Sequence, residues 1–274
     1  MPAGHTSAEV GDTSEHVLEL IRAVSHEPRW LVEHHAEVLA AVLACDRDGA
    51  RAVGTRLAAA VWPAAGQVPD PRWWEELGQA GEALAIADRD PATLVDLLHG
   101  CATTFAAHGD RLRAEERWVR ALAITRRDGL DARGQVVLSA LGGLYRSWGR
   151  LGKALDAYLG LVDLRRDADD PVGTAEALAE VGTTMHAAGR LRSATEYFDR
   201  ADEVLSSSAG GSPAAHARIL VWCGRTRWEQ GQHGAARRRW SRALAMLVDV
   251  DENAANRVRG LLATETPDWA NTSS

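Results

Sequence analysis

Apolar residues in the middle of the chain recur at the spacing of an α-helix. Leu138, Leu141 and Tyr145 lie at i, i+3 and i+7, which places them on one face of a helix. Gly149 follows, and apolar residues then return at helical spacing within the next dozen positions. A glycine between two short amphipathic segments is typical of a turn that folds the second helix back on the first. Residues 138–161 therefore predict an antiparallel helix pair.

The same pair occurs four times at a nearly constant period. The predicted turn glycines are Gly109, Gly149, Gly189 and Gly231, which lie 40, 40 and 42 residues apart. Each has a small residue seven positions before it, an alanine five positions after it and an aromatic residue nine positions after it. The small residues are Ala102, Gly142, Gly182 and Gly224, and the aromatic residues are Trp118, Tyr158, Phe198 and Trp240. A fixed period of this length indicates a repeat array, and we expect Trp118 and Trp240 to lie in its core.

This order of small residue, glycine, alanine and aromatic residue resembles the tetratricopeptide repeat (TPR) over residues 92–247. The resemblance implies an all-α fold, a right-handed α-solenoid of TPR-like helical hairpins with a C-terminal capping helix. The period is about six residues longer than the ~34 of a typical TPR, and no proline ends the second helix. Proline instead begins helices, because four prolines directly follow an Asp or Ser that can act as an N-cap. The predicted N-caps are Asp70, Asp90, Asp170 and Ser212.

The pattern divides the chain into five segments. Residues 1–13 are predicted to be a flexible arm, residues 14–90 degenerate N-terminal helical hairpins, and residues 91–248 four TPR-like repeats. Residues 249–264 are predicted to form the capping helix and residues 265–274 a disordered tail. Within the repeats, the predicted helix pairs are 91–108 with 112–127, 132–148 with 151–166, 171–188 with 191–206, and 213–230 with 233–248.

The segment ahead of the repeats carries a narrower likeness. This segment looks like the start of the TPR sensor region of actinobacterial STAND-type antibiotic regulatory proteins. The likeness rests on Trp30-Leu31, on the sequence RLAAAVWP at 56–63 and on the sequence GEALAIA at 81–87. In those proteins a DNA-binding domain and an NB-ARC ATPase precede the sensor. The Gly152-Lys153 pair is followed by alanine and does not form a P-loop. The resemblance therefore implies a regulatory, sensor-like module without those two domains.

Composition predicts a soluble, cytoplasmic protein. The longest apolar run, residues 38–45, is too short to cross a bilayer, and the N-terminus lacks the basic flank and apolar core of a signal peptide. Cys45, Cys101 and Cys223 lack the spacing of metal ligands. Cys101 and Cys223 occupy the same position in different repeats, which favours small buried thiols over a disulfide.

The first helix of each pair lines a concave groove in TPR arrays, and the resemblance carries those positions over to this chain. The implied groove residues are Asp96, His99, Thr103, Ser139, Gly143, Arg146, Glu176, Thr183, His186, Arg218, Val221, Arg225 and Trp228. This wall is mixed in charge at one end and cationic at the other. We therefore hypothesise a non-enzymatic protein-interaction module, in which an acidic or carboxylate-bearing segment meets Arg218 and Arg225 while Trp228 stacks on it.

Other functions stay open at this point. The same groove could serve a peptide or small-molecule sensor, or several repeats together could form the active site of a biosynthetic enzyme, although no Gly-x-Ser-x-Gly motif is present. The arginine-rich residues 218–242 and the acidic residues 1–90 predict an acidic protein partner or head-to-tail self-association. A net charge of −7 disfavours nucleic-acid binding. We expect no cofactor and no metal site, because the adjacent His34 and His35 point to different faces of a helix.

Overall fold

The computed structural model describes residues 7–208 and 210–263, with side chains from residue 13 onward. These residues form α-helices joined by short turns, with no strand among them. The helices are α1 (Ser7–His26), α2 (Trp30–Arg47), α3 (Arg51–Ala65), α4 (Pro71–Ala87), α5 (Pro91–Ala107), α6 (Arg111–Asp128), α7 (Asp131–Ser147), α8 (Leu151–Asp167), α9 (Pro171–Ala187), α10 (Leu191–Ser207), α11 (Pro213–Glu229), α12 (His233–Leu247) and α13 (Glu252–Ala263). The predicted all-α class is confirmed. No helix in the described ranges is both long and apolar enough to span a bilayer.

From α4 to α10, successive helices begin about 20 residues apart. Each of these helices has 17 or 18 residues, and a turn of two or three residues joins each helix from α4 to α9 to the next. The predicted turn glycines at 109, 149, 189 and 231 all have a positive φ, between 71° and 85°. Glycine has no Cβ to clash in this left-handed region, so it ends one helix and redirects the chain into the next. The predicted glycine turns are confirmed.

A second series of left-handed residues lies in the turns that connect one hairpin to the next. It consists of Gly49, Arg89, Gly129 and Asp169, with φ values of 76°, 56°, 66° and 53°. These four residues are also 40 positions apart. Arg89 and Asp169 adopt this conformation although it costs a residue with a Cβ roughly 1–2 kcal/mol. The sequence did not reveal this series because only two of its four members are glycine.

Three of the four predicted N-caps are confirmed. The side chains of Asp70, Asp90 and Asp170 each accept a hydrogen bond of 2.8–3.0 Å from a backbone N–H in the first turn of α4, α5 and α9. Ser212 makes no such bond at the start of α11, so that N-cap prediction is wrong.

The described residues up to 144 form one compact unit, which contains α1 to α6 and most of α7. Trp74 and Trp118 lie in its core and are at most 5% exposed. The indole Nε1 of Trp74 donates a hydrogen bond of 2.9 Å to the carbonyl of Ala65. Arg117 of α6 is also buried and contacts the buried Glu82 of α4. An ion pair and aromatic packing thus hold successive hairpins together.

The described residues from 145 onward form the second compact unit, which contains α8 to α13. In its hairpins the recurrent small residue faces the recurrent aromatic residue. A Cβ built on Gly182 would lie 2.8 Å from the ring of Phe198, and one built on Gly224 would lie 2.3 Å from Nε1 of Trp240. Both aromatic side chains are 0% exposed, so the small residue is needed for close packing. Helix α13 adds two buried residues to the core around Trp240, in the place predicted for a terminal helix.

The N-terminal boundary differs from the prediction. Helix α1 begins at Ser7, so residues 7–13 belong to a helix rather than to the predicted arm. Val17, Leu20 and Val24 are buried and anchor α1 against α2 and α3, and the polar residues ahead of them extend the same helix. The predicted tail at 265–274 lies outside the described residues.

Candidate functional site

The first helices of the last hairpins line a groove in the second unit. Two adjoining cavities, of about 420 and 800 Å³, lie along α9, α11 and α13, and both are lined by Glu176, Arg218 and Trp222. Helices α9 and α11 pack against each other as the first helices of successive hairpins, so equivalent faces line the same surface. We name this surface the α11 groove. Four predicted groove residues line its smaller cavity, namely Arg146, Glu176, Thr183 and Arg218.

Arg218 is the exposed positive charge where the two cavities meet. Its guanidinium has no hydrogen bond or ion pair within the part of the chain that the structure describes. Trp222 is one helical turn further along α11 and is half-buried. Its ring stands edge-on to His186 with 5.6 Å between centroids, and the guanidinium carbon of Arg225 is 5.2 Å from its centroid. The groove therefore offers a free guanidinium beside an indole ring that its neighbours hold in place.

The sequence placed the aromatic residue of the groove at Trp228, and this prediction is wrong. Trp228 is 7% exposed and stacks on Trp240, with 5.5 Å between centroids, and on His233, with 4.1 Å. It follows Arg218 by ten residues, which at about 100° per residue turns it roughly 80° away from the groove face. Trp222 follows Arg218 by four residues and lies within about 40° of that face. This i+4 spacing was the signal that could have identified Trp222.

The carboxylate of Glu229 contacts two further predicted groove residues, Arg225 and His186. Nε of Arg225 is 3.2 Å from one oxygen of Glu229, and Nε2 of His186 is 2.9 Å from the other. Burial is the largest influence on His186 and lowers its pKa, although Glu229 acts in the opposite direction. Because Arg225 is already paired, Arg218 is the arginine of α11 that remains free to meet a ligand in this groove.

The α9 end of the groove is electrically balanced. Arg146 contacts Glu180 and donates a hydrogen bond of 2.9 Å to the hydroxyl of Thr183. Glu176 lies 3.3 Å from a guanidinium nitrogen of Arg165. The predicted residues Arg146, Glu176 and Thr183 therefore face the groove but satisfy one another or their neighbours. They shape this end of the groove.

Part of the arginine-rich stretch forms an ion network instead of a cationic surface. Asp202 of α10 is 6% exposed and is contacted by His216, Arg239 and Arg242. Burial, the largest single influence, would raise the pKa of Asp202, but the hydrogen bond with His216 and the two arginines together lower it. Arg239 also contacts Asp199. Arg239 and Arg242 thus join α12 to α10, and His216 joins α11 to the same carboxylate, so the cationic end is smaller than the sequence suggested.

The larger cavity continues from Trp222 between α11 and α13. The apolar side chains that line it include Val221, Leu247, Val258 and Leu261. Arg257 of α13 adds a second guanidinium that has no partner in the described ranges. Asp251 also lines this cavity, but its carboxylate is engaged at the start of α13, where it accepts a hydrogen bond of 2.9 Å from the N–H of Ala254. An apolar surface flanked by two guanidiniums suits a ligand that carries both apolar and anionic groups.

In the first unit, the predicted residues Asp96, His99 and Thr103 line a cavity of about 400 Å³. Asp96 accepts two hydrogen bonds of 2.8 Å from Arg133. Nδ1 of His99 accepts a hydrogen bond of 3.0 Å from the indole of Trp118, and burial lowers the pKa of His99. The hydroxyl of Thr103 donates to the carbonyl of His99 at 2.8 Å. The structure thus brings these three residues together, but each already has an internal partner.

The MalT-like TPR region family matches residues 101–265, which is more than half of the chain and includes the helices of the α11 groove. The chain belongs to this family. As a MalT-like TPR region, it is the TPR protein that the repeat pattern indicated, and it resembles MalT-type sensor regions. Helices α1 to α4 precede the matched residues. No curated protein is significantly similar to the chain.

Several solved structures resemble this MalT-like TPR chain. BtubC (BKLC) from P. vanneervenii is 18% identical with a TM-score of 0.61, over 96% of this chain and 95% of that one. Aspartyl phosphate phosphatase F from Bacillus subtilis is 12% identical with a TM-score of 0.64, over 99% of this chain and 84% of that one. The apo form of RapI is 11% identical with a TM-score of 0.60, over 74% of each chain. At these identities the likeness concerns the fold.

The α11 groove of this MalT-like TPR region presents side chains of the kinds that bind ligands in other proteins. Its free side chains are guanidiniums, an indole ring and aliphatic residues, which bind anionic and apolar groups. Within residues 13–208 and 210–263, no group of three or more His, Cys, Asp or Glu side chains could hold a metal ion. TPR folds generally serve as non-catalytic scaffolds.

Proposed function

We propose that the chain is a regulatory protein-interaction module that binds an acidic, extended segment of a partner protein in the α11 groove. The observation that carries this proposal is the guanidinium of Arg218, which has no partner in the described chain and lies beside Trp222 where two cavities meet. A planar guanidinium binds a carboxylate through two parallel hydrogen bonds. A carboxylate of the partner therefore has a specific position in this groove.

The rest of the groove determines which residues of the bound segment are preferred on either side of that carboxylate. Trp222 is half-buried and presents an aromatic surface to the backbone or to an apolar side chain of the segment. Beyond it, the apolar wall between α11 and α13 accepts aliphatic side chains, and Arg257 accepts a second carboxylate. The preferred segment thus alternates acidic and apolar residues.

The family and the fold support a regulatory role. TPR arrays are commonly protein-interaction modules, and the chain resembles MalT-type sensor regions. A sensor for a small molecule is the second candidate, because the 800 Å³ cavity is within the size range of small-ligand sites. One of the similar structures is named a phosphatase, so catalysis is a third outcome to test.

Selection of random peptides tests which residues the groove prefers. Twelve-residue peptides displayed on phage are selected against the immobilised full chain, and the affinity of a selected peptide is then measured by fluorescence anisotropy. We expect acidic and apolar residues to be enriched. Arg218→Glu should weaken binding by about tenfold or more, since it replaces a charge-assisted hydrogen bond with repulsion. Trp222→Ala should also weaken binding.

Arg238→Glu is the matched control, because Arg238 is an exposed arginine of α12 that lines neither cavity of the groove. This variant should bind the selected peptide like the wild type. Equal loss of affinity in Arg218→Glu and Arg238→Glu would show that only net charge matters. Selection of basic peptides, or unchanged affinity in Arg218→Glu, would reject the proposal.

A further inference from the structure

Another cavity, of about 660 Å³, lies in the first unit between α4, α6 and the turn that joins α4 to α5. Helices α4 and α6 are second helices of their hairpins, whereas all predicted groove residues lie on first helices. The cavity is therefore separate from the sites described above. Its charged lining residues are Arg89, Asp90, Arg120, Arg127 and Asp128. We name it the α4–α6 cavity.

Both carboxylates of this cavity already have partners. Asp90 is the N-cap of α5 and accepts hydrogen bonds from the backbone N–H and the hydroxyl of Thr93. Asp128 accepts hydrogen bonds from its neighbour Arg127. The carboxylate oxygens are thus engaged, and the three arginines of the lining outnumber the two carboxylates.

Arg89 supplies the uncompensated positive charge. Its guanidinium has no hydrogen bond or ion pair in the described part of the molecule. Arg120 is half exposed and contacts the buried Glu82 through one terminal nitrogen, so further N–H groups of its guanidinium remain as donors. Arg89 also stands at a left-handed position, with φ 56°, where the corresponding turn after α6 has Gly129. Arg89 therefore carries a side chain at a position where the left-handed backbone conformation favours glycine.

We propose that the α4–α6 cavity binds a small amphiphilic anion. Its carboxylate or phosphate head contacts Arg89 and Arg120, and its apolar chain covers Ile86, Leu94 and Ile124. Leu94 and Ile124 are buried and form an apolar floor, whereas Ile86 is 54% exposed and forms the rim. Covering this apolar surface and pairing the free guanidinium both favour binding. The volume is also within the range of small-ligand pockets.

Isothermal titration calorimetry on the full chain tests the proposal with four probes: octanoate, octyl phosphate, 1-octanol and inorganic phosphate. We expect at least one of the two octyl anions to bind about tenfold more tightly than 1-octanol and inorganic phosphate, because only the octyl anions use both halves of the cavity. The tighter of the two octyl anions identifies the head group.

Two matched variants separate binding from stability. Arg89→Gly removes the guanidinium and relieves the left-handed backbone, and Asp169→Gly makes the same backbone change at a residue of the second unit that does not line the cavity. We expect both variants to unfold at a higher temperature. Arg89→Gly should bind the octyl anion about tenfold more weakly, whereas Asp169→Gly should bind it like the wild type.

Binding in the α4–α6 cavity should not depend on the α11 groove. Arg218→Glu should leave binding of the octyl anion unchanged, so loss of one site does not imply loss of the other. Failure of the wild type to bind either octyl anion would overturn the proposal. Equally tight binding of 1-octanol or inorganic phosphate would do the same, as would an Arg89→Gly variant that binds the octyl anion like the wild type.

Discussion

Gly224→Ala introduces one methyl group into a close contact of the repeat. The new Cβ would lie 2.3 Å from Nε1 and 2.6 Å from Cδ1 of Trp240, whereas non-bonded heavy atoms pack at about 3.5–4.0 Å. Trp240 cannot easily yield, because it is 0% exposed, donates a hydrogen bond to the carbonyl of Val221 and stacks on Trp228. Overpacking costs roughly 1–3 kcal/mol, and replacing a helical glycine with alanine returns about 0.5–1 kcal/mol. With so short a contact, we expect a net loss of ~1–2 kcal/mol in the free energy of unfolding.

Gly260→Ala is the matched control. Gly260 is exposed in α13, and a Cβ built there meets nothing within 4 Å. Only helix propensity changes, so this variant should gain roughly 0.5–1 kcal/mol. Urea denaturation followed by far-UV circular dichroism measures both. We expect a lower midpoint for Gly224→Ala and a higher midpoint for Gly260→Ala. A higher midpoint for both would refute the packing register of small and aromatic residues.

The remaining predictions concern stability. Trp240→Ala should lower the free energy of unfolding by ~3–5 kcal/mol and Gly182→Leu by ~1–3 kcal/mol. Denaturant titration measures both changes, and a value near zero for either variant would mean that the packing register is wrong. Asp169→Gly should raise it by roughly 1 kcal/mol through relief of the left-handed backbone, and a drop in the thermal midpoint would contradict this. Because the pKa of Asp202 is lower in the folded protein, its ionised carboxylate contributes to the free energy of unfolding. This contribution is present above the unfolded pKa of about 3.9 and is lost as the pH falls through the lower pKa of the folded state. In urea titrations below about pH 4, the wild type should therefore lose stability more steeply than Asp202→Asn. Parallel acid limbs would show that Asp202 is not responsible.

The regular repeats could be predicted closely from the sequence. The eight helices from α5 to α12 begin and end within one residue of their predicted bounds. Turn glycines and helix-starting prolines mark these ends directly, because each residue type has a backbone preference that does not depend on distant contacts. The N-terminal hairpins lack this regular punctuation, and there α1 begins ahead of its predicted start.

Properties that depend on neighbouring hairpins could not be predicted. Arg239 and Arg242 appear in the sequence as part of a basic stretch, but in the fold both contact Asp202, which lies some 40 residues earlier. The pairing of Arg117 with Glu82 has the same origin. Free and paired arginines look alike in a sequence, so Arg218 could not be told apart from Arg225. The choice of Trp228 over Trp222 was instead an error of helical angle.

Hydrogen–deuterium exchange of the full chain, with and without a saturating concentration of a selected acidic peptide, is the most direct test of the α11 groove. If Arg218 and Trp222 form the recognition surface, exchange should slow in α9, α11 and α13 and change little in α4 to α6. Protection that is confined to the first unit, or that leaves α11 unaffected, would contradict this assignment.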